Sequence, residues 1–513
     1  MSKVSKDHLF DLIKSLSKSE KRQFKLYAGR LGVNEGAKFM ELFDVLEKLS
    51  VYDEHEILKH KNIQKKQLSN LKAHLYKQIL ISLRLNPVHQ NVRLQIREML
   101  DFATILYHKG LYNQSLKLLD KAKSVALMNE EKNTAYEIIE LEKVIESQYI
   151  TRSISNRADE LTIEAKNVSQ LNVLASKLSN LSLQLYGIFL KKGYVKSDEE
   201  YQVITNYFNA RLPKFNIEKI GFREKLWLYK AYLWYSFLIQ DFLSCYRYAL
   251  KWTELFFENP NMIVLNPVFF IRGEQYLLEA LFFIGDIPRF KEALHRFEET
   301  LQQDDFPSRE NVQSLVFLYL YSHKMNLHFM EGTFKEGLEL VPEVLKGIKA
   351  FEDKIDEHHI LIFYYKIACL YFGVGDNRKC ILYLEKIISN KSLEMREDLL
   401  CYSRILNLVA HYEAGDDYHL ERLIKSTYKF LIKMEDLYQV QKEMIKFLRR
   451  LGEIYPHEIK NEFKKLHSKL KELEEDPYER RSFLYLDIIS WLESNMYGVS
   501  IPEIIQNKAS LKK

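Results

Sequence analysis

Residues 364–388 constrain the fold more than any other part of the chain, because they have the pattern of two short helices joined by a tight turn. In the first half, Tyr364, Ile367, Ala368 and Tyr371 recur at the spacing of one α-helical face. Cys380, Leu384 and Ile387 do the same in the second half. Between them, Gly375 can end the first helix in a left-handed conformation, and Asp376 can cap the second. The stretch therefore predicts a helical hairpin.

Variants of this hairpin recur through most of the chain. Glycines follow the apolar faces of successive predicted helices and are expected at their turns: Gly110, Gly193, Gly285, Gly332, Gly375 and Gly415. A final helix is expected to stop at Gly498. The 513 residues contain only 17 glycines and 10 prolines, and the dominant apolar period is helical rather than alternating. The fold class is therefore predicted to be all-α.

The hairpins resemble the tetratricopeptide repeat (TPR), a helix–turn–helix unit of about 34 residues. The face positions quoted above for residues 364–388 match the packing positions of its two helices, with the small residues Ala368 and Cys380 where the helices approach closely. The turn glycines from Gly285 onward are more widely spaced than in the family, so the array is a divergent one. The resemblance implies a right-handed α-solenoid whose groove binds a partner helix or an extended peptide.

Three regions follow from this pattern. Residues 1–90 are predicted to form a basic, helical N-terminal domain, residues 91–435 the TPR-like helical repeats, and residues 436–513 the C-terminal capping helices. Within the repeats, separate helices are expected at residues 156–168 and 171–192. The tail from residue 507 is expected to be frayed.

The N-terminal region is distinguished by its charge. Residues 1–90 contain 17 lysines and arginines against 10 aspartates and glutamates, and no acidic residue occurs from Ile57 through Arg97. A short helix after Asp53, a turn and a long helix over residues 63–85 together resemble a helix-turn-helix. This interpretation makes the basic residues of the long helix candidate nucleic-acid contacts: Lys65, Lys66, Lys72, Lys77 and Arg84. The alternative is a capping domain with solvated lysines.

The aromatic residues supply a second set of candidates. The chain has 32 tyrosines and 30 phenylalanines, many of which must pack between hairpins. Aromatic side chains that face a groove are good anchors for a bound peptide. The candidate groove aromatics are Tyr229, Tyr232, Tyr235, Tyr319, Tyr364 and Tyr371.

The motifs of several enzyme classes are missing. No phosphate-binding glycine loop occurs, and His55 and His60 are five residues apart, which points their imidazoles in different directions on a helix. The adjacent His358 and His359 are expected to be structural, and the four cysteines to be free thiols. No catalytic residue, metal ligand or cofactor is therefore nominated, and catalysis is not expected.

The sequence thus predicts a non-enzymatic protein-binding scaffold or adaptor that uses a TPR-like groove. The alternative is a regulator, in which the N-terminal domain contacts nucleic acid and the solenoid binds a protein or peptide. The N-terminus has no run typical of a signal peptide, so a cytoplasmic protein without a membrane partner is expected. The oligomeric state is left open.

Overall fold

The computed structural model describes residues 7–30, 33–60, 62–86, 91–148, 156–390, 397–431, 439–451, 458–479 and 487–511. Throughout these ranges the regular secondary structure is helical and contains no strand, which confirms the all-α prediction. The chain divides into two compact units, Met1–Val168 and Ser169–Lys513. The division falls inside one long helix. The domain borders predicted at residues 90 and 435 remain predictions.

The first five helices form around one apolar core. They are α1 (His8–Ser15), α2 (Lys18–Gly29), α3 (Val33–Lys48), α4 (Glu54–Leu58) and α5 (Lys65–Leu85). Asp7 caps α1 by accepting from the Phe10 N–H at 3.0 Å, and Ser17 forms a capping box with Glu20 at the start of α2. Phe24, Leu75 and Ile79 are buried where α5 packs against α2 and α3. The apolar stripe of α5, which consists of Leu68, Leu71, Leu75 and Ile79, therefore faces this core.

The next helices are longer, and one of them differs from the prediction. They are α6 (Val92–His108), α7 (Tyr112–Met128), α8 (Lys132–Gln148) and α9 (Arg157–Lys192). The two helices expected at residues 156–168 and 171–192 are a single helix, so that prediction was wrong. The reason is local, since the sequence between Val168 and Leu171 contains neither glycine nor proline and nothing there breaks a helix.

The middle of the second unit consists of helices joined by short turns. They are α10 (Asp198–Arg211), α11 (Phe222–Leu238), α12 (Phe242–Phe257), α13 (Asn261–Leu265), α14 (Pro267–Ile284), α15 (Ile287–Leu301), α16 (Glu310–Glu331) and α17 (Phe334–Gly337). Their shared core is rich in aromatic residues, and Trp252, Phe256, Phe270 and Phe297 in it are fully buried.

The remaining helices complete the second unit. They are α18 (Val341–Ala350), α19 (Glu357–Gly373), α20 (Asn377–Ile388), α21 (Glu397–Glu413), α22 (Asp417–Leu431), α23 (Gln439–Leu451), α24 (Ile459–Glu474), α25 (Ile488–Tyr497) and α26 (Ile501–Leu511). In the described ranges, no helix is both long enough and apolar enough to cross a membrane.

Helices of the second unit pack in a repeat-like order. Along most of the unit, helices that follow one another in sequence pack together, as α19 does with α20 and α20 with α21. In addition, α14, α16, α19 and α21 pack side by side, each against the next. These four helices therefore form a continuous layer, although other helices separate them in the sequence. The helical-repeat character of the fold is thus present, whereas the handedness and the TPR relationship remain predictions.

The turns agree with the sequence. All seven glycines predicted at turns have a positive φ, with Gly375 at 82°. Asp376 caps α20 by accepting from the backbone N–H of Lys379 at 3.1 Å, as expected for the hairpin. Only a residue without a Cβ adopts this backbone without strain, and so these positions end their helices.

The C-terminal segment is more ordered than the sequence predicts. Instead of fraying from residue 507, the chain forms α26, in which Ile505 is buried against α16. A close approach at Gly332 makes this contact possible, because a Cβ there would lie 2.8 Å from the Pro502 carbonyl oxygen. Apolar burial therefore overrides the polar composition of the tail.

Candidate functional site

A cavity of about 630 Å³ lies within the second unit. Its walls come from α9, α11, α14, α16, α19, α21 and α26, so it is built by helices far apart in sequence. Aromatic residues form much of the lining, among them Tyr186, Phe189, Trp234, Tyr276 and Phe363. Cavities of this size and apolar character are typical of sites that bind small molecules or peptide side chains.

A chain of hydrogen bonds runs through the cavity wall from Lys366 to Glu279. The Lys366 ammonium donates to Asn326 Oδ1, and Asn326 Nδ2 donates to His323 Nδ1 at 3.4 Å. His323 Nε2 donates to Gln275 Oε1 at 2.6 Å, and Gln275 Nε2 donates to Glu279 Oε2 at 3.0 Å. Every donor points toward Glu279, so the neighbours fix His323 as the tautomer with its proton on Nε2.

The other two hydrogens of the Lys366 ammonium form hydrogen bonds to Ser322. The ammonium donates to the Ser322 carbonyl oxygen at 3.1 Å and to Ser322 Oγ at 2.8 Å. With Asn326, these acceptors use all three ammonium hydrogens. The network thereby joins α14, α16 and α19 across the cavity wall.

Burial controls the ionisation of these groups. Burial lowers the pKa of the Lys366 ammonium to about 7. Burial, followed by the positive charge of Lys366, lowers the pKa of the His323 imidazole well below its ordinary value. Burial also raises the pKa of the nearby Cys369 thiol to about 12. At neutral pH the imidazole and the thiol are therefore uncharged.

Arg272 adds a cation to the same cavity. It lies on α14, and its guanidinium interacts with the phenol groups of Tyr319, Tyr276 and Tyr186. Among the described residues, no carboxylate lies within ion-pair distance of this guanidinium. By contrast, Arg296 pairs with the buried Glu274 at 3.4 Å. Arg272 is consequently a charge with aromatic surroundings and an open capacity for an anion.

The predicted groove aromatics separate into different places. Of the six, Tyr319 lines the cavity. Tyr232 and Tyr235 stack on Tyr248 and Phe208, at centroid distances of 4.5 Å and 4.3 Å, and the half-buried Tyr229 packs beside them. Tyr364 and Tyr371 pack on Tyr383, at 6.0 Å and 5.8 Å. These five therefore take part in packing between neighbouring helices.

The candidate nucleic-acid residues also differ among themselves. Lys65, Lys66 and Lys77 are exposed on α5, and Arg84 is exposed but pairs with Asp101 at 3.2 Å. Lys72 is half-buried, where it pairs with Asp7 and donates to the Tyr52 hydroxyl at 2.7 Å. Lys72 thus ties α5 to α1, while the other lysines remain available to solvent.

The histidines and cysteines offer no metal site in the part of the chain that the structure describes. His55 and His60 are exposed, whereas His358 and His359, which were expected to be structural, line the cavity. Cys245, Cys369, Cys380 and Cys401 form no disulfide bond.

The first unit contains a buried charge cluster, but its members are paired. The Lys123 ammonium lies 2.7 Å from Glu142 and 2.9 Å from Glu164, and Arg157 lies 3.3 Å from Asp120. Burial raises the pKa of Glu142 to about 7, against the pull of Lys123. The cluster joins α7, α8 and α9, and we assign it a structural role.

Sequence reasoning missed the polar residues of the cavity. The sequence did contain a signal, because Lys366 is the only charged residue between His359 and Gly373. In addition, Arg272, Glu274, Gln275 and Glu279 interrupt an otherwise apolar helix. An isolated charge in an apolar helix must find a polar environment on folding. What the sequence could not give was that α14 and α19 face one cavity.

The fold and the cavity define an all-helical protein with repeat-like packing. Comparison with family models, with curated proteins and with solved structures found no match. The resemblance to the TPR therefore stays a prediction from the residues.

Proposed function

We propose that the protein is a non-enzymatic binding protein whose cavity in the second unit accepts an apolar segment of a partner protein. The observation that supports this most is how the cavity is closed on one side. There, α26 places Ile501, Ile505 and Ala509 against the aromatic lining. The wall thus already binds one apolar helical segment, and the remaining volume can take another.

The state of the reactive groups favours binding over catalysis. Both ring nitrogens of His323 are engaged in hydrogen bonds, and the protonated Lys366 ammonium donates all three of its hydrogens to Ser322 and Asn326. The raised pKa of Cys369 keeps its thiol protonated and poorly nucleophilic. A general base or nucleophile would need a lone pair or a thiolate directed at a substrate.

A cavity-filling variant tests this function. A display library of random peptides of about twelve residues is selected against the full chain, and enriched peptides are measured by fluorescence anisotropy. Ala509→Trp should weaken binding of these peptides at least about ten-fold, because the indole would occupy the space next to the aromatic wall.

The neighbouring position provides the matched control. Ser510 is exposed on the same helix, so Ser510→Trp adds the same side chain outside the cavity and should leave affinity unchanged. Circular dichroism confirms that both variants are folded. A library without enriched peptides, or equal affinities for the two variants, would contradict the proposal.

A second candidate function is a regulator whose N-terminal helices contact nucleic acid. The observation that favours it is the exposure of Lys65, Lys66 and Lys77 on α5, a helix that has no acidic residue. Lysines in this setting bind phosphates without reading sequence. Its expected signature is binding to duplex DNA that weakens as salt rises.

A further inference from the structure

The charged groups that line the cavity differ in the hydrogen bonds and ion pairs that they already make. Lys366 donates all three hydrogens to Ser322 and Asn326, and Glu279 accepts from Gln275. Arg272 has phenols around its guanidinium, but no ion-pair partner among the described residues. A guanidinium has five donors in a planar fork that matches a carboxylate. Arg272 is therefore the group with unused capacity for an anion.

The balance of charge limits the anion to one negative charge. The charged residues that line the cavity are Arg272, Glu279, Lys366, Asp487 and Lys508. With Lys366 protonated, their sum is a single positive charge. A monoanion neutralises it, whereas a phosphate dianion would leave an excess negative charge in a largely apolar space.

The surroundings of Arg272 indicate what the anion is attached to. Two of the phenols near its guanidinium, Tyr186 and Tyr276, also contact Trp234, at centroid distances of 4.8 Å and 5.7 Å. Phe189 extends this aromatic wall, 5.3 Å from Trp234. A flat or apolar group bonded to the carboxylate would thus lie on aromatic rings while the carboxylate reaches Arg272.

We infer that the cavity binds a monocarboxylate with an aromatic or apolar body, and that Arg272 binds its carboxylate. The inference rests on the proposed function, because both use the same cavity. The carboxylate belongs either to a free organic acid or to the C-terminal residue of a peptide, since both present the same chemistry to the guanidinium.

Calorimetric titration of the full chain with matched acids and amides tests the inference. The free-acid arm uses indole-3-acetate against indole-3-acetamide. The peptide arm uses Ala-Ala-Ala-Trp with a free or an amidated C-terminus. In at least one arm, the acid should bind about ten- to a hundred-fold more tightly than the amide, as expected for a charge-assisted hydrogen bond. The arm that shows the preference identifies the source of the carboxylate.

Variants of Arg272 locate the preference. Arg272→Gln should bring acid and amide to nearly equal affinity, while Arg272→Lys should keep part of the difference because it retains the charge. Arg378 is exposed on α20, outside the cavity, so Arg378→Gln should leave the preference intact. Circular dichroism and thermal unfolding show whether each variant is folded.

Two results would overturn the inference: equal binding of acid and amide by the unaltered chain, or a preference that survives in Arg272→Gln. These results can be told apart from failure of the proposed function. If Ala509→Trp weakens the binding of apolar peptides but acids bind no more tightly than the matched amides, the anion site is refuted and the binding function stands. If Ala509→Trp leaves the affinity for peptides unchanged, the binding function itself fails.

Discussion

At the scale of single residues, His323 shows how a buried network fixes a protonation state. Its imidazole accepts from Asn326 and donates to Gln275, an arrangement that only the neutral ring can make. Burial and the nearby Lys366 lower the pKa of His323 in the folded state. The unfolded chain has no such constraint, so the two states bind different numbers of protons in mildly acidic solution.

The sign of the pH dependence follows from this difference. Below about pH 6.5, this histidine binds a proton in the unfolded chain but stays neutral in the folded protein. The free energy of unfolding therefore decreases as the pH falls. In the unaltered protein, this group should lower the free energy of unfolding by up to about 1.4 kcal/mol per pH unit. A glutamine at position 323 can keep both hydrogen bonds without titrating. Between pH 7.5 and 5.5, the free energy of unfolding of His323→Gln should therefore fall by about 1.4 kcal/mol less than that of the unaltered protein.

Urea unfolding of both proteins at several pH values measures the effect. Comparison of the two curves cancels the titrating groups that do not interact with position 323, including Glu274, whose burial raises its pKa to about 7 and acts in the opposite direction. Parallel curves would show that His323 binds a proton as readily in the folded state as in the unfolded chain, which would contradict the neutral ring.

At the scale of elements, the contact between α26 and the turn after α16 depends on a glycine. Gly332 has a φ of 68°, and a Cβ there would approach the Pro502 carbonyl oxygen to 2.8 Å and Ile505 Cβ to 3.2 Å. Gln506 adds a hydrogen bond to the Gly332 carbonyl oxygen at 3.3 Å. The helix that closes one side of the cavity is thus positioned by a close approach of two backbones.

Gly332→Ala should therefore displace α26. In this variant, the left-handed backbone conformation costs about 1 kcal/mol. Steric overlap of the new Cβ with Pro502 and Ile505 costs about 1–3 kcal/mol more. Hydrogen exchange should show amides of residues 501–511 losing protection about ten-fold or more.

Gly415→Ala separates strain from overlap. Gly415 has nearly the same φ, 69°, but nothing lies within 4 Å of the position of its Cβ. This control should be destabilised by the backbone strain alone and should keep the protection of α26. Equal loss of protection in both variants would mean that the contact with Pro502 does not hold the helix.

At the scale of the whole molecule, charge is distributed unevenly along the sequence. The chain has 75 lysines and arginines against 70 aspartates and glutamates, yet residues 1–90 contain 17 against 10. The excess is consequently concentrated in the region that includes α5. If this region binds nucleic acid, phosphate contacts release counterions and the affinity falls with salt.

Charge reversal on α5 tests this second function. The double variant Lys66→Glu/Lys77→Glu should lose most of its affinity for a generic DNA duplex and reduce the slope of log affinity against log salt by about two. The matched control is Lys117→Glu/Lys121→Glu, which makes the same charge change at two exposed lysines of α7. Equal affinity of both double variants, or no binding at low salt, would refute the nucleic-acid contact.

The sequence by itself determined the helices and their ends, because these depend on contacts within a few residues. The apolar period of α5, the capping box at Ser17 and the left-handed turn at Gly375 are local properties, and the structure shows each of them. The continuous α9 was missed because a weak repeat pattern was taken for a boundary that no helix breaker marks.

Only the tertiary structure decided which side chains share a site. Lys366, His323 and Arg272 belong to helices separated by tens of residues, and the helical period gives each a face but not the helix opposite it. Tyr319 reaches the cavity, whereas Tyr364, with a similar sequence setting, packs on Tyr383. Packing among distant helices creates this cavity, and it also orders the polar C-terminal tail, because buried apolar area outweighs local preference.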